Sequence, residues 1–140
     1  MPPAPVSPAE RTAGTPTAIG ILRQDISGRH RRRDERIVEW LAQRWGYELP
    51  ALLIVDDTEL APTLLLIEHI RAAAADAVIA PDREHIWPAR RAVTELCDLI
   101  LAGSEKTWPR GYHWPPFGYA EDELTVARPR GLTTGYRILG

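Results

Sequence analysis

The segments Ala18-Ile-Gly-Ile-Leu-Arg23, Ala51-Leu-Leu-Ile-Val55 and Asp76-Ala-Val-Ile-Ala80 are short and apolar along their whole length. A strand without polar alternation must be covered on both faces, as in a parallel sheet under helices. Amphipathic stretches separate the three. Residues 30–45 place Val38, Leu41, Ala42 and Trp45 at helical spacing, with Ile37 beside them. Arg32, Glu35, Glu39 and Gln43 take the opposite face, and Gly46 suits a helix stop. Pro62 suits the first turn of a second helix, with an apolar stripe of Leu64, Ile67, Ile70 and Ala74. A third helix is expected over residues 88–102, with a stripe of Val93, Leu96, Cys97, Ile100 and Leu101 and a stop at Gly103. Strands alternating with helices imply right-handed βαβ units. The expected fold is α/β and three-layered: a short parallel sheet, order 2-1-3 at its core, flanked by helices.

Residues 1–17 contain Pro2, Pro3, Pro5, Pro8 and Pro16 and show no periodicity, so they read as a disordered tail. They have no apolar core of the kind a secretory signal needs. The α/β domain is assigned to residues 18–102 and an irregular extension to residues 103–140. That extension carries Trp108-Pro-Arg-Gly-Tyr-His-Trp-Pro-Pro-Phe-Gly-Tyr119, too rich in proline for a long helix. Packing of its aromatics is the default expectation, presentation to a partner the alternative. Residues 123–127 suit one more edge strand.

The chain has 140 residues, a formal charge of −2 and 44% hydrophobic residues, a globular balance. A nucleic-acid role must therefore come from a local basic patch. Cys97, the single cysteine, permits no intramolecular disulfide and suits the core. No apolar run has the length of a membrane span, so a cytoplasmic protein without membrane contact is expected.

Ligands of open parallel sheets bind at the carboxyl ends of the strands. That edge brings together Arg23, Gln24, Asp25 and Ser27, with Asp82, Arg83 and His85 opposite and Asp56-Asp57 beside them. Ser27-Gly28-Arg29 precedes a helix start, where free N–H groups favour anions. With Arg29, Arg31, Arg32 and Arg33 it reads as a phosphate-contact region, alongside Arg23 and Arg83. The alternative is a solvated helix start, because Asp34 and Glu35 dilute the charge at once. Asp56-Asp57 reads either as a Mg²⁺ pair or as a turn device, and His85 as a general base or as polar surface. No Ser–His–acid set follows from spacing. No metal site and no cofactor is expected.

Several strings in their order resemble the resolvase/invertase family of serine recombinases: Ile19-Gly20-Ile21-Leu22-Arg23-Gln24-Asp25, Gly46-Tyr47-Glu48-Leu49, Val55-Asp56-Asp57-Thr58 and Asp76-Ala77-Val78-Ile79-Ala80-Pro81. The resemblance implies a resolvase-like fold over residues 18–101 and a nucleophilic serine two residues after Arg23. Asp25 stands there instead. Ile21 replaces the family's tyrosine, and His85 and Pro88 fall where arginines that hold the scissile phosphate are expected. Ser27, two residues further on, could substitute as a fallback only if the loop were remodelled. An aspartate beside a phosphate opposes the chemistry, and one missing donor costs about 10²–10³ in rate. The resemblance thus implies a pseudoenzyme: a recombinase-like module that binds DNA or a protein partner without strand transfer. The alternative is a small hydrolytic or metal-dependent enzyme using Asp25, Asp56, Asp57 and His85.

Overall fold

A computed structural model of the chain describes residues 14–116. The expected strand at residues 123–127 lies outside them, as does most of the proline-rich amino-terminal stretch.

β1 (Thr17–Arg23), β2 (Glu48–Val55), β3 (Ala77–Ala80), β4 (Asp98–Leu101) and β5 (Lys106–Trp108) form one sheet of order β2-β1-β3-β4-β5. The first four run parallel, and β5 returns antiparallel to β4. The expected 2-1-3 order is therefore the left part of a wider sheet. α1 (Gln24–Ser27) and a 3-10 turn (Gly28–His30) lead into α2 (Arg31–Arg44). α3 (Pro62–Ala73) joins β2 to β3, and two 3-10 turns and α4 (Arg90–Thr94) join β3 to β4.

The sheet is covered on both faces. Val38, Leu41 and Ala42 of α2 pack with Ala18, Ala77, Ile79 and Ile100. On the other face Leu66 and Ile70 of α3 and Val93 of α4 meet Ile19, Ile21, Val78 and Leu99. Alternate residues of β1 and β3 supply both clusters, which is why those strands read as unbroken apolar runs. β1 tolerates no bulk at Gly20. A Cβ there would lie 2.6 Å from Leu52 Cδ1 and 2.9 Å from Val38 Cγ1, so α2 and β2 close directly over this backbone. Asp76 joins the starts of β1 and β3: its carboxylate accepts from Thr17 N–H at 2.8 Å, and its own N–H donates to Thr17 O at 2.7 Å.

Three boundaries differ from the sequence expectation. The predicted helix over residues 88–102 is a short helix followed by a strand. Leu99, Ile100 and Leu101 pair with β3, and all are buried. The spacing of Val93, Leu96, Cys97, Ile100 and Leu101 fits both a helical stripe and a strand buried on two faces. Thr17, assigned to the tail, is the first residue of β1 and is fully buried. The domain does not end at residue 102 either, because β5 and the aromatics after it complete one core. Trp108 is fully buried and meets Trp87 edge-on, with centroids 5.3 Å apart. Trp114 contacts Trp87 and Trp108 at 5.3 and 5.8 Å, and its indole N–H donates to Thr94 Oγ1 at 2.8 Å. Among the described residues no helix is long and apolar enough to cross a membrane.

Candidate functional site

The crossovers diverge between β1 and β3, so the carboxyl ends of these strands flank the place where such sheets hold ligands. The chain leaving β1 turns at once into α1, and the chain leaving β3 turns through Asp82 into the 3-10 turn that carries His85. Asp82 caps that turn by accepting from Glu84 N–H at 3.1 Å. The two segments meet where Arg23 N–H donates to His85 Nδ1 at 2.8 Å.

That bond fixes the imidazole. With Nδ1 accepting, the proton sits on Nε2, which faces Asp34 Oδ2 at 3.7 Å and Asp82 Oδ1 at 3.9 Å. Burial pushes the pKa of His85 below its ordinary value. Asp82, Asp34 and Glu84 pull it back up, Arg23 pushes it further down, and burial dominates. Asp34 lies on α2, one turn before Val38 on its inner face, and is itself buried. The Ser27 hydroxyl donates to Asp34 Oδ2 at 2.5 Å. Ser27, Asp34 and His85 thus form one buried polar chain linking α1, α2 and the turn after β3.

The order of that chain decides its chemistry. A nucleophilic serine hands its proton to an imidazole, which an acid orients from behind. Here the acid stands between hydroxyl and imidazole. The lone pair of His85 is spent on a backbone N–H, and Ser27 is only 4% exposed. The fallback hydroxyl is a tether.

Arg23 is likewise engaged. Its guanidinium grips Asp25 with two bonds, NH2 to Oδ2 at 2.8 Å and Nε to Oδ1 at 3.2 Å. Asp25, which stands where the resemblance leads one to expect a nucleophile, therefore holds the Arg23 side chain. The guanidinium of Arg83 lies 5.0 Å from the Trp87 ring centroid. Arg23, Asp25, Ser27 and His85 do come together as expected. A shallow, largely apolar pocket beside them is lined by Ile21, Val55, Leu66 and Ile86, with Arg23 and His85 at its polar side.

Asp56 serves its own turn. It accepts from the Thr58 hydroxyl at 2.5 Å and from Thr58 N–H at 3.0 Å, and these bonds hold its carboxyl below the usual range. Among the described residues no three His, Cys, Asp or Glu side chains are placed to hold a metal ion. Cys97 is buried, and burial pushes its thiol up, out of the reactive range.

The basic run splits into two roles. Arg31 is structural, bonding Gln24 Oε1 at 3.2 Å and Glu35 at 3.1 Å. Arg33 reaches Asp34 Oδ1 only at 3.5 Å and keeps 66% of its side chain exposed. Arg29, Arg32 and Arg36 are exposed and form no ion pair among the described residues. Asp34, read in the sequence as diluting this charge, is withdrawn inside.

Comparison with protein-family models, with curated proteins and with solved structures finds no match.

Proposed function

We propose that this chain is a non-catalytic, recombinase-like module that holds the phosphate backbone of DNA against the arginines at the start of α2. The carrying observation is the internal use of Asp34. Its carboxylate faces Ser27 and His85, and Glu35 is taken by Arg31. Arg29, Arg32 and Arg36 therefore stand outside without an ion pair among the described residues, and Arg33, though it reaches Asp34 at 3.5 Å, stays largely exposed beside them; together they make a positive patch on a chain whose formal charge is −2. Patches of this kind contact phosphates and carry no base specificity. The absence of catalysis follows from the neighbouring geometry: Arg23 is held by Asp25, and Ser27 by Asp34.

Fluorescence anisotropy with a labelled duplex tests the reading. Micromolar binding at about 50 mM salt, weakening steeply by about 200 mM, is expected. Phosphate contacts are strongest at low salt, so no binding there overturns it.

A protein partner is the second reading, favoured by Ile54, Leu60 and Leu64. These are 43%, 97% and 56% exposed in and after β2, whose outer edge no described strand covers. Persistent monomeric behaviour together with duplex binding rejects self-association through this edge.

A further inference from the structure

The outer face of α2 carries more than charge. Arg32, Arg36, Trp40 and Arg44 follow one another at four-residue intervals, so they form a single stripe about 18 Å long on the solvent side. Trp40 is 47% exposed, the largest apolar side chain among the described residues left open in this way. The Arg44 guanidinium lies 5.2 Å from its ring centroid and also reaches Glu105 at 3.6 Å. Arg33 flanks the stripe; Glu39 and Glu35 lie beside it, Glu35 paired with Arg31, and Glu105 meets its Arg44 end. The inner face of α2 is already committed to Ala18, Ala77, Ile79 and Ile100, so the core does not need Trp40.

Nearly half of the Trp40 indole faces water, and the one ring or cation contact it makes among the described residues is with Arg44. Such a ring among arginines suits a ligand that offers negative charge and flat aromatic surface together. Nucleic acid does so only where its bases are unpaired, because the base faces of a duplex are covered by their neighbours. An acidic peptide complements the arginines but leaves the ring unused. We infer that the Arg32–Arg36–Trp40–Arg44 stripe binds single-stranded nucleic acid, with phosphates on the arginines and a base stacked on Trp40. The inference rests on the nucleic-acid reading above and assigns its preferred strand state.

The test uses the full chain with three labelled probes: an oligothymidylate of about 15 nucleotides, an oligouridylate of equal length and a duplex. One of the single strands binds more tightly than the duplex. Trp40→Ala weakens single-strand binding by about 5- to 100-fold. Duplex binding changes by less than about twofold, and Trp40→Phe, which keeps a stacking ring, retains most of the affinity. The deoxy and ribo arms tell DNA from RNA, and tighter binding of either supports the stripe. Equal affinity of Trp40→Ala and wild type for both single strands, or preference for the duplex, overturns the inference and leaves the backbone-binding reading standing. Binding of none of the three overturns both. Tighter binding of a polyglutamate peptide assigns the stripe to a protein partner and overturns it as well.

Discussion

Ser27 and Asp34 are joined by a 2.5 Å hydrogen bond in the interior, between a helix of four residues and the first turn of the long helix that follows. The same carboxylate oxygen faces His85 Nε2 at 3.7 Å. A carboxylate buried this way is favourable only while its partners remain, so the group acts as a clasp for the segment that leaves β1. Asp34→Ala frees Ser27 and leaves the His85 N–H without its nearest acceptor. It is expected to cost about 2–4 kcal/mol, read as a lower urea midpoint with unchanged slope. An unaltered midpoint contradicts the clasp.

His85 makes the clasp sensitive to acid. Unfolded, its imidazole titrates near 6.5, and folded it titrates lower because the neutral ring is buried. The stabilisation is complete above the unfolded value and is lost as the pH falls from there through the folded value. Acidification from about pH 7 to pH 5 therefore lowers stability more in the wild type than in His85→Gln, which has no such proton to take up. Carboxylates away from the site contribute equally to both proteins, so the difference between the two curves reports the imidazole together with its coupling to Asp34, Asp82 and Glu84. Parallel curves contradict the assignment.

Trp108 anchors the segment that reads in the sequence as an extension. It is fully buried against Trp87 and Trp114, and its indole N–H finds no acceptor among the described residues. Trp108→Ala is expected to destabilise by about 3–5 kcal/mol. Trp108→Phe costs less, since it keeps an aromatic ring and removes an unpaired N–H. Equal stability of Trp108→Ala and wild type would mean that β5 and the aromatic cluster are not core.

Chemistry at the β1–β3 edge is expected to be absent. Supercoiled plasmid incubated with the protein stays supercoiled, because Ser27 is tethered and Arg23 is gripped by Asp25. Nicking that vanishes in Ser27→Ala contradicts this directly.

Much of the scaffold is legible from residue pattern alone, and the exceptions have physical causes. β1, β2 and β3 announce themselves because a strand covered on both faces has no polar position. β4 hides for the same reason: Leu96-Cys-Asp-Leu-Ile-Leu101 has apolar residues at helical spacing as well as in a run. β5 is three residues long, too short to show a period. At the site, the meeting of Arg23, Asp25, Ser27 and His85 follows from sheet topology. Asp34 escaped because it sits among charged neighbours, yet it falls on the stripe with Val38, Leu41 and Trp45. An acid in phase with a helix's apolar face signals a buried partner, and that signal was available. Which arginines remain outside depends on where Asp34 and Glu35 turn, and this is a property of packing.

Phosphate contact by the arginines of α2 has its readout in salt dependence. The most direct measurement is the slope of log affinity against log salt concentration for a duplex, compared between wild type and Arg32→Ala/Arg36→Ala. A steep wild-type slope is expected, flattening by about 0.9 for each arginine removed, or about 1.8 in the double variant. The same slope in both proteins, or no binding at the lowest salt, would contradict it.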